Sequence, residues 1–524
     1  MIIAVDHTTP RTMKLGKRIL DQALRAAKHH GYGTFLPTPP EFQVLAKNWT
    51  QIKSELSNCD LDTYNGYPLL RSFAPKSRVA VRRVVLLHPY DFVLYTALAL
   101  LLRDCIAASR LPADKVFSYR SEESPTGHLY ESGGWQAFKE AAGTRATNEP
   151  SLFFGITDIA DFYPRIYHHR LVNALEACAA FVAKDHKETI RVLEKMLARF
   201  SEGTSYGIPI GPPASRVLAE AVLIDIDRTL LSYDIDFIRF VDDFIIFGRS
   251  PSEAEYGLRV LGENLFAKHG LTLQAAKTKV LPAAESVSKV LRLHSEKEEE
   301  RRRLFDLFEG EYEVIPYKDL DEDLKREIDA LNLSEMLTEA LAQDEKVDYA
   351  EVDFILRRLS SLRKPDLIPI VTENLERLYP VTDALAAFFT KFSDSAEVKH
   401  EEIAKRLLDP ILNIRDSRAS EFYCTWVLSI FQESSVWGNA DTLLRIFRET
   451  NSDIIRRSAA LAIAVCGTRA QAVTVKEYLG TASSLSRTAM LLATAKLGKD
   501  ERRYLKNSLR LDDAFESLCA TATI

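Results

Sequence analysis

The sequence predicts an α+β region that runs to about Pro282, followed by a region that is almost entirely helical. Short runs rich in β-branched and aromatic residues occur before Pro282 and are typical of buried strands. Glycine and proline turns, such as GIPIGPP, punctuate the same region. After Pro282 strand-like alternation is missing and helical segments recur. We therefore expect two domains, 1–284 and 285–524.

Bulk composition is that of a globular protein with more than one domain. The 524 residues are 46% hydrophobic and 27% charged, which argues against a disordered chain or a fibre. A formal net charge of −6 offers no global basic surface, so contact with nucleic acid requires a local basic strip. The six cysteines form no CxxC pair, which argues against a zinc site and suits a reducing compartment.

The sequence predicts a cytoplasmic protein that does not enter a membrane. The N-terminus lacks the basic-then-apolar order of a signal peptide. The best apolar run, Phe92–Leu102, is too short to span a bilayer and predicts a buried helix.

Individual elements of the first region follow from their periodicity. The runs LFFGITDI, DFIRFV and DFIIFG predict buried strands. The segment Val172–Phe200 predicts a helix.

The second region contains a repeat. Ser452–Gly467 matches Ser483–Gly498 at an offset of 31 residues, with six identities. Small residues at helical spacing let helices approach closely, and the terminal glycine serves as a C-cap. A period near 30 is typical of stacked helical pairs of the HEAT or armadillo kind. From two copies we expect an irregular all-α domain of HEAT-like hairpins.

Three aspartates lie at strand ends in the first region. Asp158 closes the strand of TDIADFYPRI, and Asp242 and Asp243 interrupt the apolar segment FVDDFIIF. Adjacent aspartates in an apolar strand pair oppose folding unless a cation compensates. A hairpin that presents them opposite Asp158 would bind Mg²⁺ or Mn²⁺, and two ions about 3.5–4 Å apart can stabilise both oxygens of a phosphoryl transfer.

Each aspartate taken singly has a simpler explanation. A DD pair is more often a solvated turn, and an aspartate after a strand is more often a helix cap. The metal hypothesis therefore depends on the joint order of these segments with the turn GIPIGPPAS at 207–215.

Four segments in this order resemble reverse-transcriptase motifs. The segment from Asp158 resembles motif A, GIPIGPPAS motif B, FVDD from Phe240 the YxDD box of motif C, and Gly270–Val280 motif D. Upstream, RVAVRR, HPYDFVLYTAL and VFSYR resemble the fingers of bacterial reverse transcriptases. The resemblance covers about residues 65–282. It implies α+β fingers and palm and a nucleotidyltransferase that uses dNTPs and two Mg²⁺ or Mn²⁺ ions.

The resemblance also implies roles for residues of motifs A and C. Asp158 and Asp242 would be the principal metal ligands, with Asp243 beside them, and the carbonyl of Ile159 would add a ligand. Tyr163 falls at the steric-gate position, where an aromatic ring clashes with a ribose 2′-OH and favours dNTPs.

Other substrate contacts are implied less specifically. Lys277 falls at the motif D lysine, which can protonate the leaving pyrophosphate, and a plain surface lysine is the equal alternative. Gly207 and Pro209 of motif B would line the substrate site. Guanidinium groups match phosphate oxygens, and four candidates for the triphosphate are Arg78, Arg82, Arg83 and Arg120.

The helix after motif B carries two further acids. We expect Asp225 and Asp227 to form ion pairs with Arg228 or Arg216 rather than to act in catalysis.

Two departures from the family pattern affect the prediction. Templated enzymes usually carry a polar residue, often Gln, where this chain has Ile210, and the box begins with Phe240 instead of Tyr. Neither removes a metal ligand, but Ile210 puts ordinary template handling in doubt.

The helical extension favours one class of reverse transcriptase. The basic maturase region and HNH nuclease of group II intron enzymes are not found, and retron enzymes are generally shorter. A palm with a long helical extension resembles the abortive-infection (Abi) reverse transcriptases, which include AbiK and the Abi polymerase of P2-type prophages.

The Abi resemblance implies phage defence and DNA synthesis without a template. It also implies a protein hydroxyl as primer, single-stranded DNA product attached to the protein, and a closed homo-oligomer, a trimer or hexamer. An RNA-templated reverse transcriptase and an inactive palm that serves as an assembly platform are the alternatives. If a tyrosine primes, the fingers offer Tyr64, Tyr67, Tyr90, Tyr95, Tyr119 and Tyr130, of which Tyr95 is least plausible because it lies in an apolar helix.

Overall fold

The computed structural model describes most of the first 287 residues and much of the helical half. The described residues are 12–76, 80–120, 128–131, 133–287, 322, 325–326, 329, 333–342, 347, 349–363, 367–395, 398–413, 420–509, 511 and 514–522.

The chain forms two compact units that interleave along the sequence. The first unit contains residues 1–31, 49–66 and 90–299, and the second contains 32–48, 67–89 and 300–524. Two early segments therefore belong with the helical half. The predicted division between 284 and 285 stays a prediction.

Twelve helices and six strands are described before residue 288. The helices are α1 (Lys17–His30), α2 (Glu41–Lys47), α3 (Trp49–Asn58), α4 (Pro89–Ser109), α5 (Gly134–Asn148), α6 (Phe162–Arg165), α7 (His168–Phe181), α8 (Lys187–Phe200), α9 (Pro213–Val222), α10 (Ile224–Ser232), α11 (Pro251–His269) and α12 (Ala283–Glu285). The strands are β1 (Leu70–Pro75), β2 (Val81–Leu86), β3 (Phe153–Asp158), β4 (Asp236–Phe240), β5 (Asp243–Gly248) and β6 (Lys279–Pro282).

A four-stranded sheet forms the centre of the first unit. Its order is β4-β5-β3-β6, and all three pairings are antiparallel. β4 and β5 form a hairpin joined by the two residues Val241 and Asp242. The three predicted strands are confirmed, because each apolar run is buried on the sheet.

Small residues bring α11 close to this sheet. A Cβ on Gly248 of β5 would lie 2.5 Å from the backbone nitrogen of Ala254, and one on Gly257 of α11 would lie 2.6 Å from the Ile246 side chain. Real Cβ atoms essentially never approach so closely, so larger residues would push the helix off the sheet and lose close packing.

The apolar run at Phe92–Leu102 lies in a longer helix than predicted. Among the described residues, α4 alone is long and apolar enough to cross a membrane. Most of α4 is buried inside the protein, and core helices of soluble proteins pass the same test. It is therefore weak evidence for a membrane span.

The single helix predicted over Val172–Phe200 is wrong, because two helices, α7 and α8, cover this segment. Ala183 between them has a left-handed backbone, with φ 53°, which ends the first helix. The polar stretch that follows leads into the second helix.

The second unit continues as helices. They are α13 (Leu333–Ala342), α14 (Tyr349–Leu362), α15 (Ile368–Glu373), α16 (Thr382–Thr390), α17 (His400–Leu412), α18 (Glu421–Glu433), α19 (Ala440–Glu449), α20 (Asp453–Cys466), α21 (Arg469–Lys476), α22 (Ser484–Ala493), α23 (Lys499–Ser508) and α24 (Ala514–Thr521), with short 3₁₀ turns at Tyr379–Val381, Ser435–Trp437 and Thr494–Lys496.

The repeat seen in the sequence extends beyond its two recognisable copies. α14, α16, α18, α20, α22 and α24 pack one against the next in a row. The last four begin at Glu421, Asp453, Ser484 and Ala514, which are spaced by 32, 31 and 30 residues. The expected fold class, an α+β part followed by an all-α part of HEAT-like hairpins, is confirmed.

A buried ion pair holds α2 to this helical row within the second unit. Arg457 of α20 donates from Nη2 to both carboxylate oxygens of Glu41, at 2.6 and 2.7 Å. Thr488 of α22 donates to the same carboxylate at 3.1 Å. Glu41 is fully buried, so this segment is an integral part of the helical unit.

Candidate active site

The three aspartates lie where β3 ends and β5 begins, at the turn of the β4–β5 hairpin. Asp158, the last residue of β3, is directly opposite Asp243, the first residue of β5. The backbone N–H of Ile159 donates to the carbonyl of Asp242 at 3.1 Å. Motifs A and C are therefore joined by backbone hydrogen bonds, which place the carboxylates of Asp158, Asp242 and Asp243 at one edge of the sheet.

Burial and mutual repulsion disfavour ionisation of the carboxyl groups at this edge. Burial, and then the charge of Asp242, raise the pKa of Asp243 to about 7. Burial also raises the pKa of Asp242 to about 6, and the charge of Asp158 acts in the same direction. Like charges in a partly desolvated place favour the protonated form unless a cation is present.

Lys277 supplies one cation to this edge. Its Nζ lies 2.5 Å from Oδ2 of Asp158. The motif D segment that carries it is held to motif A by two backbone bonds, from Gln274 N to Asp158 O and from Ala160 N to Thr272 O, both 2.8 Å. The Asp158 bond raises the pKa of Lys277 although burial lowers it, so the ammonium group stays protonated.

The donor set fits a divalent cation, although the side chains are not gathered into a ready cluster. In the described part of the chain, no group of three His, Cys, Asp or Glu residues is placed to hold an ion, and Lys277 occupies one oxygen of Asp158. The other oxygen, Oδ1, is buried and has no hydrogen-bond partner among the described residues. With the carboxylates of Asp242 and Asp243 it offers the hard oxygen ligands that Mg²⁺ or Mn²⁺ selects.

The turn that carries Asp242 is strained. Val241 is buried and has φ 55°, in the left-handed region. A β-branched residue is a genuine outlier there, and such conformations persist only where the surroundings enforce them. Nη1 of Arg239 donates to the Val241 carbonyl at 2.9 Å.

Tyr163 lies in an aromatic wall beside Asp242. Burial raises its pKa well above 10, and the nearby hydroxyl of Tyr119 and the charge of Asp242 act in the same direction. The hydroxyls of Tyr119 and Tyr163 lie close enough to affect each other's pKa. Arg216 donates to the hydroxyl of Tyr130 at 2.8 Å, and its guanidinium lies over the rings of Tyr119 and Tyr130 at 5.7 and 5.9 Å. Neutral phenols and a stacked guanidinium thus line this side.

The motif B loop is tied to the chain that follows motif A. Gly207 has φ 89°, a conformation that a side chain strains, and its N–H donates to the carbonyl of Ile166 at 2.8 Å. Ile208 N–H donates to the carbonyl of Tyr163 at 3.1 Å. Pro209 is buried, so Gly207 and Pro209 shape the loop that positions Tyr163.

The candidate phosphate-binding arginines do not all belong to one unit. Arg82 and Arg83 lie on β2 of the second unit, and Arg78 lies outside the described residues. Arg120 lies in the first unit, where its guanidinium donates to the backbone carbonyls of Val116, at 2.9 Å, and Leu111. These bonds brace a loop, and a phosphate role for any of the four stays a prediction.

The expected partners of Asp225 and Asp227 are wrong. Asp225 accepts from His269 at 2.9 Å. Asp227 is fully buried and pairs with Arg239 on β4, at 2.8 and 2.6 Å. Helical spacing suggested neighbours on the same helix, whereas the hairpin brings a strand residue against α10.

Sequence reasoning missed a group of buried charges behind the site. Arg239, Glu220 and Arg110 interact with one another next to the turn that carries Asp242. A usable signal was available, because Glu220 interrupts the apolar helix VLAEAVLIDI, and a charged residue at such a position requires a partner.

One comparison with known protein families matches part of the chain. Residues 83–299 match the reverse transcriptase (RNA-dependent DNA polymerase) family. No curated protein sequence matches the chain.

Solved structures give weaker likenesses. Apo telomerase from Candida tropicalis is 12% identical, with 81% of this chain and 74% of that chain covered and a TM-score of 0.33. Telomerase from Candida albicans with a fragment of telomeric RNA is 11% identical, with 79% and 70% covered and a TM-score of 0.33. A partial Cas6-RT-Cas1–Cas2 complex is 20% identical, with 48% and 41% covered and a TM-score of 0.23.

TM-scores this low carry no argument about function. The family match and the antiparallel palm with its aspartates identify a reverse transcriptase domain, and hence a nucleotidyltransferase-type enzyme, within residues 83–299.

Proposed function

We propose that this protein is a DNA polymerase that adds dNMP units to a hydroxyl group at the edge formed by β3 and β5. One observation carries the proposal: Asp158 lies opposite Asp243 beside the Asp242 turn, with Lys277 bonded to Asp158. When the carboxylates at this edge ionise, they repel one another. Binding of cations, together with the phosphates that the cations carry, relieves this repulsion.

The reaction transfers a nucleotidyl group. The attacking hydroxyl oxygen forms a bond to the α-phosphorus of the dNTP and releases its proton to solvent. The bond from that phosphorus to the pyrophosphate oxygen breaks. Divalent ions held by Asp158, Asp242 and Asp243, with the Ile159 carbonyl as a further ligand, would stabilise the charge on both oxygens. Protonated Lys277, which is bonded to Asp158, would give a proton to the departing pyrophosphate.

Tyr163 is the proposed selector of the sugar. Its side chain lies near Asp242 and Tyr119, and its carbonyl accepts from the backbone N–H of Ile208, which constrains its position. A rigid ring at the 2′ position excludes a hydroxyl by collision, which favours dNTPs over rNTPs.

The finer proposal is an untemplated, protein-primed enzyme of phage defence that assembles as a trimer or hexamer. It rests on the Abi resemblance, on the long helical unit, and on Ile210, which is half-buried in motif B and whose side chain cannot form a hydrogen bond. An RNA-templated reverse transcriptase is the competing candidate, and the family match at 83–299 favours it.

Burial narrows the choice of a priming tyrosine. Tyr95 is fully buried and bonded to Ser215, and Tyr90 is also buried. Tyr167 and Tyr206 flank motifs A and B, are 40% and 49% exposed, and pair with each other in a short bridge. We add these two to the candidates, because a primer must be accessible and close to the carboxylates.

The decisive experiment supplies labelled dNTPs and Mg²⁺ or Mn²⁺ to the purified protein without template or primer. The proposal expects labelled DNA that enters the phenol phase until protease releases it. Absence of this product, with activity on a primed RNA template, would replace the finer proposal by the RNA-templated enzyme. Tyr167→Phe and Tyr206→Phe then test the priming hydroxyl.

Matched variants test the site itself. Asp242→Asn and Asp243→Asn should each lower the rate by at least about 100-fold, because each removes a carboxylate that holds cations. Asp234→Asn is the control, since Asp234 is exposed and its left-handed backbone suits asparagine. Full activity in the double variant Asp242→Ala, Asp243→Ala would overturn the whole assignment.

A further inference from the structure

Four charged side chains form a buried cluster next to the turn that carries Asp242. The side chains of Arg239, Asp227, Glu220 and Arg110 are 0%, 0%, 1% and 2% exposed. Two cations and two anions balance their charges. Replacing buried ion pairs by apolar residues often leaves stability unchanged or improved, so stability alone does not account for this cluster.

Glu220 of α9 is the centre of the cluster. Its Oε2 pairs with Nη2 of Arg110 at 2.9 Å and with Nη1 of Arg239 at 3.1 Å. Its Oε1 accepts from the hydroxyl of Ser118 at 2.6 Å. One carboxylate therefore joins two arginines from different parts of the chain.

Arg239 connects Glu220 to the turn that carries Asp242. Its Nε and Nη2 are bonded to the two oxygens of Asp227, which fixes the plane of the guanidinium. Its Nη1 then donates both to Glu220 and to the Val241 carbonyl, at 3.1 and 2.9 Å. The carbonyl of the left-handed Val241 is thus bonded to a guanidinium group that is also bonded to Asp227 and Glu220.

Arg110 connects Glu220 to the aromatic wall. Its Nη2 donates to the Ser118 carbonyl at 2.6 Å, and its Nη1 donates to the Tyr119 carbonyl at 3.4 Å. Tyr119 is also left-handed, with φ 42°, and its hydroxyl lies near that of Tyr163. Both arginines therefore hold the carbonyl of a residue in a strained backbone conformation.

We propose that Glu220 is a positioning residue for nucleotidyl transfer: through Arg239 and Arg110 it sets the distance between the Asp242 turn and the Tyr163 ring. This inference rests on the proposed function, because it assigns the cation-binding edge and the sugar-selecting wall to one reaction. Without the Glu220 charge, each arginine loses a common partner and the two segments relax independently.

Glu220→Gln tests the proposal, because it keeps the shape and an acceptor for Ser118 but removes the charge. We expect kcat for dNTP addition to fall about 100-fold, as for a misplacement of about 1 Å. We also expect the preference for dNTPs over rNTPs to fall about tenfold or more. A purely structural role would lower the amount of active enzyme and leave this preference unchanged.

Asp236→Asn is the matched control. Asp236 begins β4, the strand that carries Arg239. Like Glu220, it pairs with two cations, Lys115 at 2.5 Å and Arg145 at 2.6 Å. It lies at the end of the strand away from the turn, so kcat and sugar preference should remain at the wild-type values.

Hydrogen exchange followed by mass spectrometry, in EDTA, provides a readout that needs no activity. Peptides that cover 116–120 and 240–243 should both exchange faster in Glu220→Gln and not in Asp236→Asn. Unchanged exchange in both peptides, together with an unchanged sugar preference, would overturn the inference.

If Glu220→Gln does not fold, Ser118→Ala, which removes one bond to Glu220, takes its place. A smaller shift of both readouts in the same direction then supports the proposal, and no shift overturns it. If the wild-type protein transfers no nucleotide under any condition, the proposed function fails, and the exchange experiment alone decides whether Glu220 couples the two segments.

Discussion

At the scale of single residues, the site combines carboxylates whose ionisation is unfavourable with backbone conformations that are energetically unfavourable. Asp242 and Asp243 have raised pKa values, and Val241 and Tyr119 have left-handed backbones. Strain of this kind costs on the order of 1–3 kcal/mol for each residue and persists where the surrounding structure enforces it. The aspartates could be predicted from the sequence, because the DD pair stands out in an apolar strand. The strained residues could not, because φ depends on contacts with distant segments.

The raised pKa values predict how metal-free stability changes with pH. A folded Asp243 with a pKa of about 7 keeps a proton that the unfolded chain has already released. Its favourable contribution is therefore complete below about pH 4 and is lost as pH rises through 7. In EDTA, wild-type protein should lose on the order of 2 kcal/mol relative to Asp243→Asn between pH 5 and pH 8.

Urea unfolding of both proteins at the two pH values measures this difference. Added Mn²⁺ should reverse it and stabilise wild type more at pH 8 than at pH 5, because ions compete with protons for the carboxylates. A difference between the two proteins that does not vary with pH would contradict the prediction.

Tyr163→Ala tests the sugar-selecting ring. Removal of the ring opens the space beside Asp242, so incorporation of rNTPs relative to dNTPs should rise at least about tenfold, a change of about 1.4 kcal/mol in discrimination. Competition between labelled dATP and ATP measures the ratio. Tyr233→Ala, at an exposed residue of the same unit, should leave the ratio unchanged; equal ratios in all three proteins would remove Tyr163 from sugar selection.

At the scale of elements, local sequence patterns predicted the strands and the helical repeat well. β3, β4 and β5 coincide with apolar runs, because a strand buried in a sheet has to be apolar along its length. In the sequence, only two of the six packed helices could be recognised as copies of a repeat. In such repeats the spacing persists while the individual residues vary, since only small size at the contacts is required.

Glu41→Ala tests how α2 is anchored. It leaves Arg457 buried without its carboxylate partner, which should cost about 3–5 kcal/mol. Hydrogen exchange of peptides from α20 and α22 against urea measures the loss in the second unit.

The exposed Glu401→Ala is the control, since Glu401 makes a surface pair with Lys405 that is worth about 0–1 kcal/mol. A loss for Glu41→Ala no greater than for Glu401→Ala would show that the buried pair does not anchor the segment.

At the scale of the whole molecule, the net charge indicates how strongly the protein attracts a nucleic-acid template. The net charge of −6 gives no general attraction to nucleic acid. If synthesis needs no template, a primed RNA–DNA duplex should bind no more tightly than non-specific complexes do, with a Kd of about 10⁻⁴–10⁻⁶ M at physiological salt.

Fluorescence anisotropy with labelled duplex measures this affinity, and light scattering of the same sample measures the mass. A trimer or hexamer with weak duplex binding fits the finer proposal. A monomer that binds primed template with nanomolar affinity would favour the RNA-templated enzyme.

The sequence by itself determined the strands of the palm, the three aspartates at the ends of those strands and the helical character of the second half. These features depend on short-range patterns: alternation, apolar runs, a Gly/Pro turn and a period near 30 residues. The order of the four motifs added a hypothesis for the reaction class, because in the resembled family each motif contributes one part of a single site.

Only the tertiary structure decided which distant residues meet. The assignment of 32–48 and 67–89 to the helical unit, the pairing of Asp227 with Arg239 and the coupling of two strained carbonyls through Glu220 depend on contacts across more than one element. A buried charge requires a partner, but local sequence does not say which partner, because any segment that reaches it in the folded chain satisfies the same electrostatic need.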